Sequence, residues 1–261
     1  MDIDFLAHLR SDAARFGEVL RDADPATRVP PCPDWDADDL LWHLAEVFLF
    51  WATIVRERLA EPDAAEDAKP PRPADHAGLL ALYDRATAEL VATLEATPDD
   101  TPCWTWSDDH RAGFVRRRMS HEALIHRLDA EITTGALTDV DPALAADGVY
   151  EALQHFYGGY PDWSDYRADG PIGRVRTTDT GGEWIVRLGG FSGLSPNTGK
   201  AYDNEPSLEI VEDGAPTFTV SGPARDLDAW IWNRPTLTEV AVDGDHADFQ
   251  AFAAIIAKGV D

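Results

Sequence analysis

The sequence predicts an α+β multidomain chain: a helical part over residues 1–160, followed by a small α+β domain over 161–261. Two observations carry this. Apolar residues recur at helical spacing in five successive segments up to Phe156, and beyond Gly170-Pro171 that rhythm gives way to short runs of alternating hydropathy. A third sets the scale: 44% of the 261 residues are hydrophobic, and nine Trp are among them, ample material for a core in each part.

The first helix is expected over 4–21, where Phe5, Leu9, Phe16 and Leu20 share one face. Pro31 and Pro33 then break the chain. Asp36 offers an N-cap, and Leu40, Leu44, Val47, Trp51 and Ile54 recur at steps of four, three, four and three to mark the second helix. Residues 61–74, rich in Pro, Ala and acids, read as a loop, after which Leu79, Tyr83, Ala86, Leu90 and Leu94 mark a third helix. The fourth runs over 112–134 and is closed by Gly135. The fifth follows Asp141-Pro142, buries Leu144, Val149, Leu153 and Phe156, and stops at Gly158-Gly159.

In the second part strands are expected over 172–178, 183–188, 207–211, 216–220 and 238–242, with a hairpin turn over 179–182 and helices over 224–233 and 245–258. Gly190-Phe191-Ser192-Gly193 begins like a nucleophile elbow, but position 194 is Leu, and the stretch reads as a loop. No phosphate-cradling loop and no dinucleotide fingerprint opening a helix is present.

Forty-eight acidic residues against 22 basic ones give a formal charge of -26, which repels phosphate backbones and anionic bilayers. Nucleic-acid and membrane partners are therefore not expected. The first twenty residues interleave Asp2, Asp4, Arg10 and Asp12 with apolar positions and carry no signal-peptide pattern, so a cytoplasmic monomer or small homo-oligomer is expected. Cys32 and Cys103 are too few for a disulfide framework and are expected to be reduced.

The fourth helix carries the chemistry. Val115, Met119, Glu122, His126, Asp129 and Thr133 follow one another at steps of four, three, four, three and four, which keeps them on one helical face. Ile125, Leu128 and Ile132 lie beside that seam and turn it inward. Charge on such a face must be paired or bound to a metal, and Glu122 with His126 has the i, i+4 spacing that aims two ligands at one ion. The second helix of a bundle can bring His43 opposite as a third ligand, leaving positions open for water or substrate. His121 competes for that place but points about 100° away around the helix. Asp129, three residues after His126, is placed to orient its imidazole or to handle a proton; the alternative is a salt bridge to a buried Arg.

Two segments then resemble a known family. Val29-Pro30-Pro31-Cys32-Pro33-Asp34-Trp35, followed by Asp39-Leu40-Leu41-Trp42-His43-Leu44, is similar to the entry into helix two of the mycothiol-dependent maleylpyruvate isomerase-like proteins, and Arg118-Met119-Ser120-His121-Glu122-Ala123-Leu124-Ile125-His126-Arg127-Leu128-Asp129-Ala130 to their second motif. Val220-Ser221-Gly222-Pro223-Ala224-Arg225-Asp226-Leu227 leading to Trp230-Ile231-Trp232-Asn233-Arg234 resembles their C-terminal module. The segment 157–169 has no counterpart in that pattern.

The resemblance implies an N-terminal DinB-like four-helix bundle followed by a sterol-carrier-like C-terminal domain. It implies a divalent metal, zinc above others, on His43, Glu122 and His126, with mycothiol as the thiol cofactor and Asp129 and Arg234 as functional residues. The implied reaction is addition of the thiol sulfur to a conjugated cis double bond, rotation about the resulting single bond, and expulsion of the thiol to leave the trans isomer. Two alternatives stand beside it: a mycothiol S-transferase that stops after addition to an electrophile, and a non-catalytic small-ligand-binding protein with a structural metal.

Overall fold

The computed structural model describes residues 3–158, 160–196 and 198–259. Gly159, the second half of the expected helix stop, lies outside them. The chain divides into two units, Met1–Asp139 and Val140–Asp261. The boundary read at 160/161 from the change in hydropathy rhythm thus falls inside the second unit, because the fifth predicted helix packs against a helix of the C-terminal part.

The first unit contains α1 (Phe5–Arg21), α2 (Ala37–Glu57), a short α3 (Asp63–Asp67), α4 (His76–Ala96) and α5 (Ala112–Thr134). Helix α1 packs on α5 and α4, and α2 packs on the same two, so the four long helices form a ring in which α5 sits between α1 and α2. Leu9, Phe16 and Leu20 from α1, Leu40, Leu44, Phe48 and Ile54 from α2, Leu79, Tyr83 and Leu90 from α4, and Val115 and Met119 from α5 fill the centre. Buried Tyr83 places its hydroxyl on the carbonyl of Ala13 at 2.7 Å, satisfying the one polar atom it brings inside.

Caps set the helix limits. Asp36 accepts from the backbone N–H of Asp39, and the Asp39 carboxylate accepts from that of Asp36, a reciprocal capping box that fixes where α2 starts. Gly135, at φ 72°, ends α5 in the left-handed conformation that glycine adopts without steric cost. The Pro-containing stretch before α2, expected only to break the chain, forms two short antiparallel strands, β1 (Arg28–Val29) and β2 (Cys32–Asp36). The stretch expected as loop over 61–74 contains α3.

The second unit begins with α6 (Pro142–Glu151), capped by Asp141 and prolonged by a π-helical turn, Ala152–Tyr157. A six-stranded sheet follows, made of β3 (Asp165–Arg167), β4 (Ile172–Thr177), β5 (Glu183–Leu194), β6 (Ala201–Val211), β7 (Phe218–Gly222) and β8 (Ala241–Gly244). One edge of β5 pairs first with β4 and further along with β3, while β6 runs beside the other edge; only β4 and β7 are parallel. Helix α7 (Ala224–Ile231) packs on α6 and β7, and α8 (His246–Ala257) covers β4 and β7.

Two readings are corrected here. Residues 190–193 are strand, not loop: a Cβ on Gly189 would lie 2.1 Å from the Arg167 carbonyl, and one on Gly190 would lie 2.6 Å from Asn204 Oδ1. Those absent side chains are what let β3 and β6 close on β5. The last strand starts at 241 and not at 238, because the Asp226 carboxylate accepts from the backbone N–H groups of Leu237 and Thr238 at 2.8 and 3.1 Å and holds them as a turn.

The capping box yields a stability expectation. Asp36→Ala removes the acceptor for the Asp39 N–H and should lower unfolding free energy by about 1 kcal/mol. Urea denaturation should report this as a reduced midpoint with an unchanged slope.

Candidate metal centre

Helices α2 and α5 pack side by side, and this brings His43, two turns into α2, to the seam of α5. Glu122 Oε1 lies 3.3 Å from His43 Nε2 and 3.3 Å from His126 Nε2. One potential ligand atom from each of the three residues falls within 4.8 Å of the others, the arrangement expected of a metal site. Zinc bonds of about 2.0–2.1 Å place neighbouring ligand atoms about 3.3–3.4 Å apart around a tetrahedral ion. Both carboxylate–imidazole spacings fit that edge. The site is not sealed, since the His43 side chain keeps 28% of its exposure and Glu122 16%, against 9% for His126.

The outer contacts of each ligand are specific. His126 Nδ1 lies 3.0 Å from Asp129 Oδ2, and Asp129 is fully buried. Asp129 therefore takes the position expected of a residue that orients the imidazole. The same oxygen lies 3.9 Å from Cys32 Sγ, on β2. Glu122 turns its other oxygen to Arg118, whose Nη2 donates at 2.5 Å from one helical turn earlier. The Trp35 ring, also on β2, sits 4.7 Å from the His43 ring and 6.1 Å from that of His126. His121 takes no part in the trio: its ring packs edge-on against Phe5 of α1 at 5.9 Å.

The electrostatics follow from these contacts. Burial works against ionisation of Glu122, but the Arg118 guanidinium and the two imidazoles outweigh it and hold the carboxyl well below its ordinary range. Burial likewise opposes charge on His126, yet its hydrogen bonds to Asp129 and Glu122 prevail and push it up to about 9. In the metal-free protein at neutral pH, Glu122 is an anion and His126 a cation.

Arg234 belongs to the second unit. It follows α7, donates its backbone N–H to the carbonyl of Ala229 at 2.7 Å, and places Nη1 on the carbonyl of Trp232 at 2.7 Å. Among the described residues no helix is long and apolar enough to cross a membrane.

Residues 6–131 match the family model of the mycothiol maleylpyruvate isomerase N-terminal domain, and residues 143–251 match the C-terminal domain of the same family. The chain belongs to the mycothiol maleylpyruvate isomerase family. Two solved structures share its fold over 93% of each chain. One is a crystal structure of the mycothiol-dependent maleylpyruvate isomerase, with TM-score 0.59 at 15% identity. The other is a histidine-to-alanine mutant of that enzyme, with TM-score 0.55 at 14% identity. No curated relative matches the chain in sequence. In this family member His43, Glu122, His126 and Asp129 lie within the N-terminal domain match and Arg234 within the C-terminal one.

Sequence reasoning gave no role to Arg118, Trp35 or Cys32. Arg118 carried a usable signal, since it stands four residues before Glu122 as His126 stands four after. Trp35 and Cys32 reach the site through a strand that apolar periodicity does not register.

A pH dependence follows. Metal binding requires a neutral imidazole, while His126 stays protonated up to about pH 9 in the metal-free protein. Binding of a divalent ion at pH 7 should therefore release about one proton, and apparent affinity should weaken about tenfold per pH unit as pH falls below 9. Calorimetry in buffers of differing ionisation enthalpy checks the first, and chelator competition across pH the second. For the metal-free fold the sign is opposite: the raised His126 contributes stability that is complete below pH 6.5 and lost as pH rises through 9.

Proposed function

We propose that this protein is a metal-dependent enzyme that uses a low-molecular-weight thiol, mycothiol, to isomerise a cis-enoyl acid of the maleylpyruvate type. The observation that supports this most is the convergence of His43, Glu122 and His126 with Asp129 behind one of them. Three protein ligands characterise sites that keep a position for an exogenous group, where structural sites are closed by four. A divalent ion there, with zinc suited to two imidazoles and a carboxylate, supplies positive charge that lets a thiol ionise at neutral pH. The thiol and the substrate class come from the family and from the enzyme whose fold the chain shares.

The chain's own residues have separable tasks in this reading. Asp129 holds the proton of His126 on Nδ1, so that Nε2 keeps its lone pair directed at the centre. Glu122 contributes one oxygen to the trio and a negative charge that Arg118 offsets. Arg234 is assigned to a carboxylate of the substrate, because a planar guanidinium binds carboxylates through two parallel hydrogen bonds and a chain of net charge -26 must commit a cation to attract an anion. The setting is expected to be cytoplasmic.

Metal analysis of protein purified without added metal, followed by mycothiol titration and product analysis with maleylpyruvate, tests the reading. Stoichiometric metal, tight thiol binding and a trans product with free thiol returned support it. A thioether that accumulates with an electrophile indicates S-transfer instead, and absence of both metal and thiol binding indicates a ligand-binding protein. Alanine at His43, Glu122 and His126 together should abolish metal retention; a full complement in that variant places the ion elsewhere. Asp129→Asn should keep metal and fold while turnover falls by about 10- to 100-fold.

A further inference from the structure

Glu122 stands midway between two residues on α5, Arg118 one turn before and His126 one turn after, and its two oxygens are divided between them. Oε1 is 3.3 Å from the Nε2 atoms of both His126 and His43, while Oε2 is 2.5 Å from Arg118 Nη2. Arg118 is not a surface partner of the usual i, i+4 kind. The residue is only 4% exposed, and an exposed pair at this spacing contributes little to a helix. Taking a guanidinium out of water is unfavourable unless its position serves geometry or charge.

The geometry points to Arg118 as the positioning residue of the metal centre, one that occupies Glu122 Oε2 so that the carboxylate presents a single oxygen, Oε1, to the space between the two imidazoles. This rests on the metal reading given above. Two physical consequences follow. A carboxylate with both oxygens available can bind an ion through both and take up a second coordination position, whereas one whose second oxygen accepts a guanidinium N–H offers one oxygen and leaves that position for an exogenous group. The second is charge: a dication, the Glu122 and Asp129 carboxylates and one bound thiolate leave one negative charge, which Arg118 neutralises. That removes a repulsion an anionic substrate would otherwise meet in a protein that is already strongly acidic.

Lysine cannot fully replace this residue, because its shorter side chain keeps the charge but does not carry a donor to where Arg118 Nη2 stands. That difference supplies the test. Cobalt(II) is loaded into the wild-type protein, Arg118→Lys and Arg118→Gln, with affinity measured by chelator competition and coordination number read from the visible absorption band. Far-UV circular dichroism and thermal unfolding are recorded on the same samples. We expect Arg118→Gln to bind cobalt about 10- to 100-fold more weakly and with a weaker, higher-coordinate band, and Arg118→Lys to recover part of the affinity but not the wild-type spectrum. If Arg118→Gln does not fold, the spectrum of Arg118→Lys decides. Wild-type cobalt affinity and spectrum in the folded variants would overturn the role of Arg118 and leave the metal reading standing. A wild-type protein that binds no cobalt would overturn the metal reading, and this inference with it.

Discussion

Charge buried along α5 is the constraint on which the first unit depends. Arg118, His126, Arg127, Asp129 and Glu131 are all buried on this one helix, and no set of apolar contacts can offset their desolvation. Each is matched to a counterpart. Arg127 holds Asp12 of α1 at 2.7 Å, Glu131 accepts from Arg15 of α1 at 3.0 Å and from Thr138 at 2.5 Å, and His126 and Arg118 are matched within α5 itself. The α1–α5 contact is thus specified by ion pairs as well as by Leu and Phe packing. Removing one partner leaves the other charge buried without compensation, so such a pair is costly to break even though desolvation keeps its net contribution to stability small.

What the sequence made legible was whatever is encoded over short range. The limits of α5 could be read from Ala112 to Gly135 because a helical seam and a left-handed glycine are local signals, and the start of α2 could be read from Asp36 because a cap bonds to its own neighbours. The convergence of His43, Glu122 and His126 was legible for a related reason: two of them share a helix at fixed spacing, and the third needed only the assumption that two helices face each other. The missed features depend on partners remote in sequence. Gly190 reads as a loop residue until β6 supplies Asn204, which a side chain there would strike. Strand β2 shows no apolar alternation in its five residues, and Pro33 within it points away from strand.

The consequence for the site is that little of it rests on loops. Five of its side chains project from two packed helices, and the contributions of β2 enter from a strand joined directly to the capping box of α2. Groups held on such elements are positioned before any ligand arrives, so binding need not be offset by ordering of the chain.

His43 is the one member of the trio contributed by a helix other than α5, so the gap between α2 and α5 acts as the jaw of a caliper. Helices packed in a core sit about 8–10 Å apart according to the side chains between them, while a metal site tolerates only about 0.2 Å in its bonds. Side chains packed between α2 and α5 would therefore set the bite of a metal centre held there. Enlarging one of them would change that spacing, and with it the ion such a centre could accept, at an overpacking cost to the bundle of about 1–3 kcal/mol.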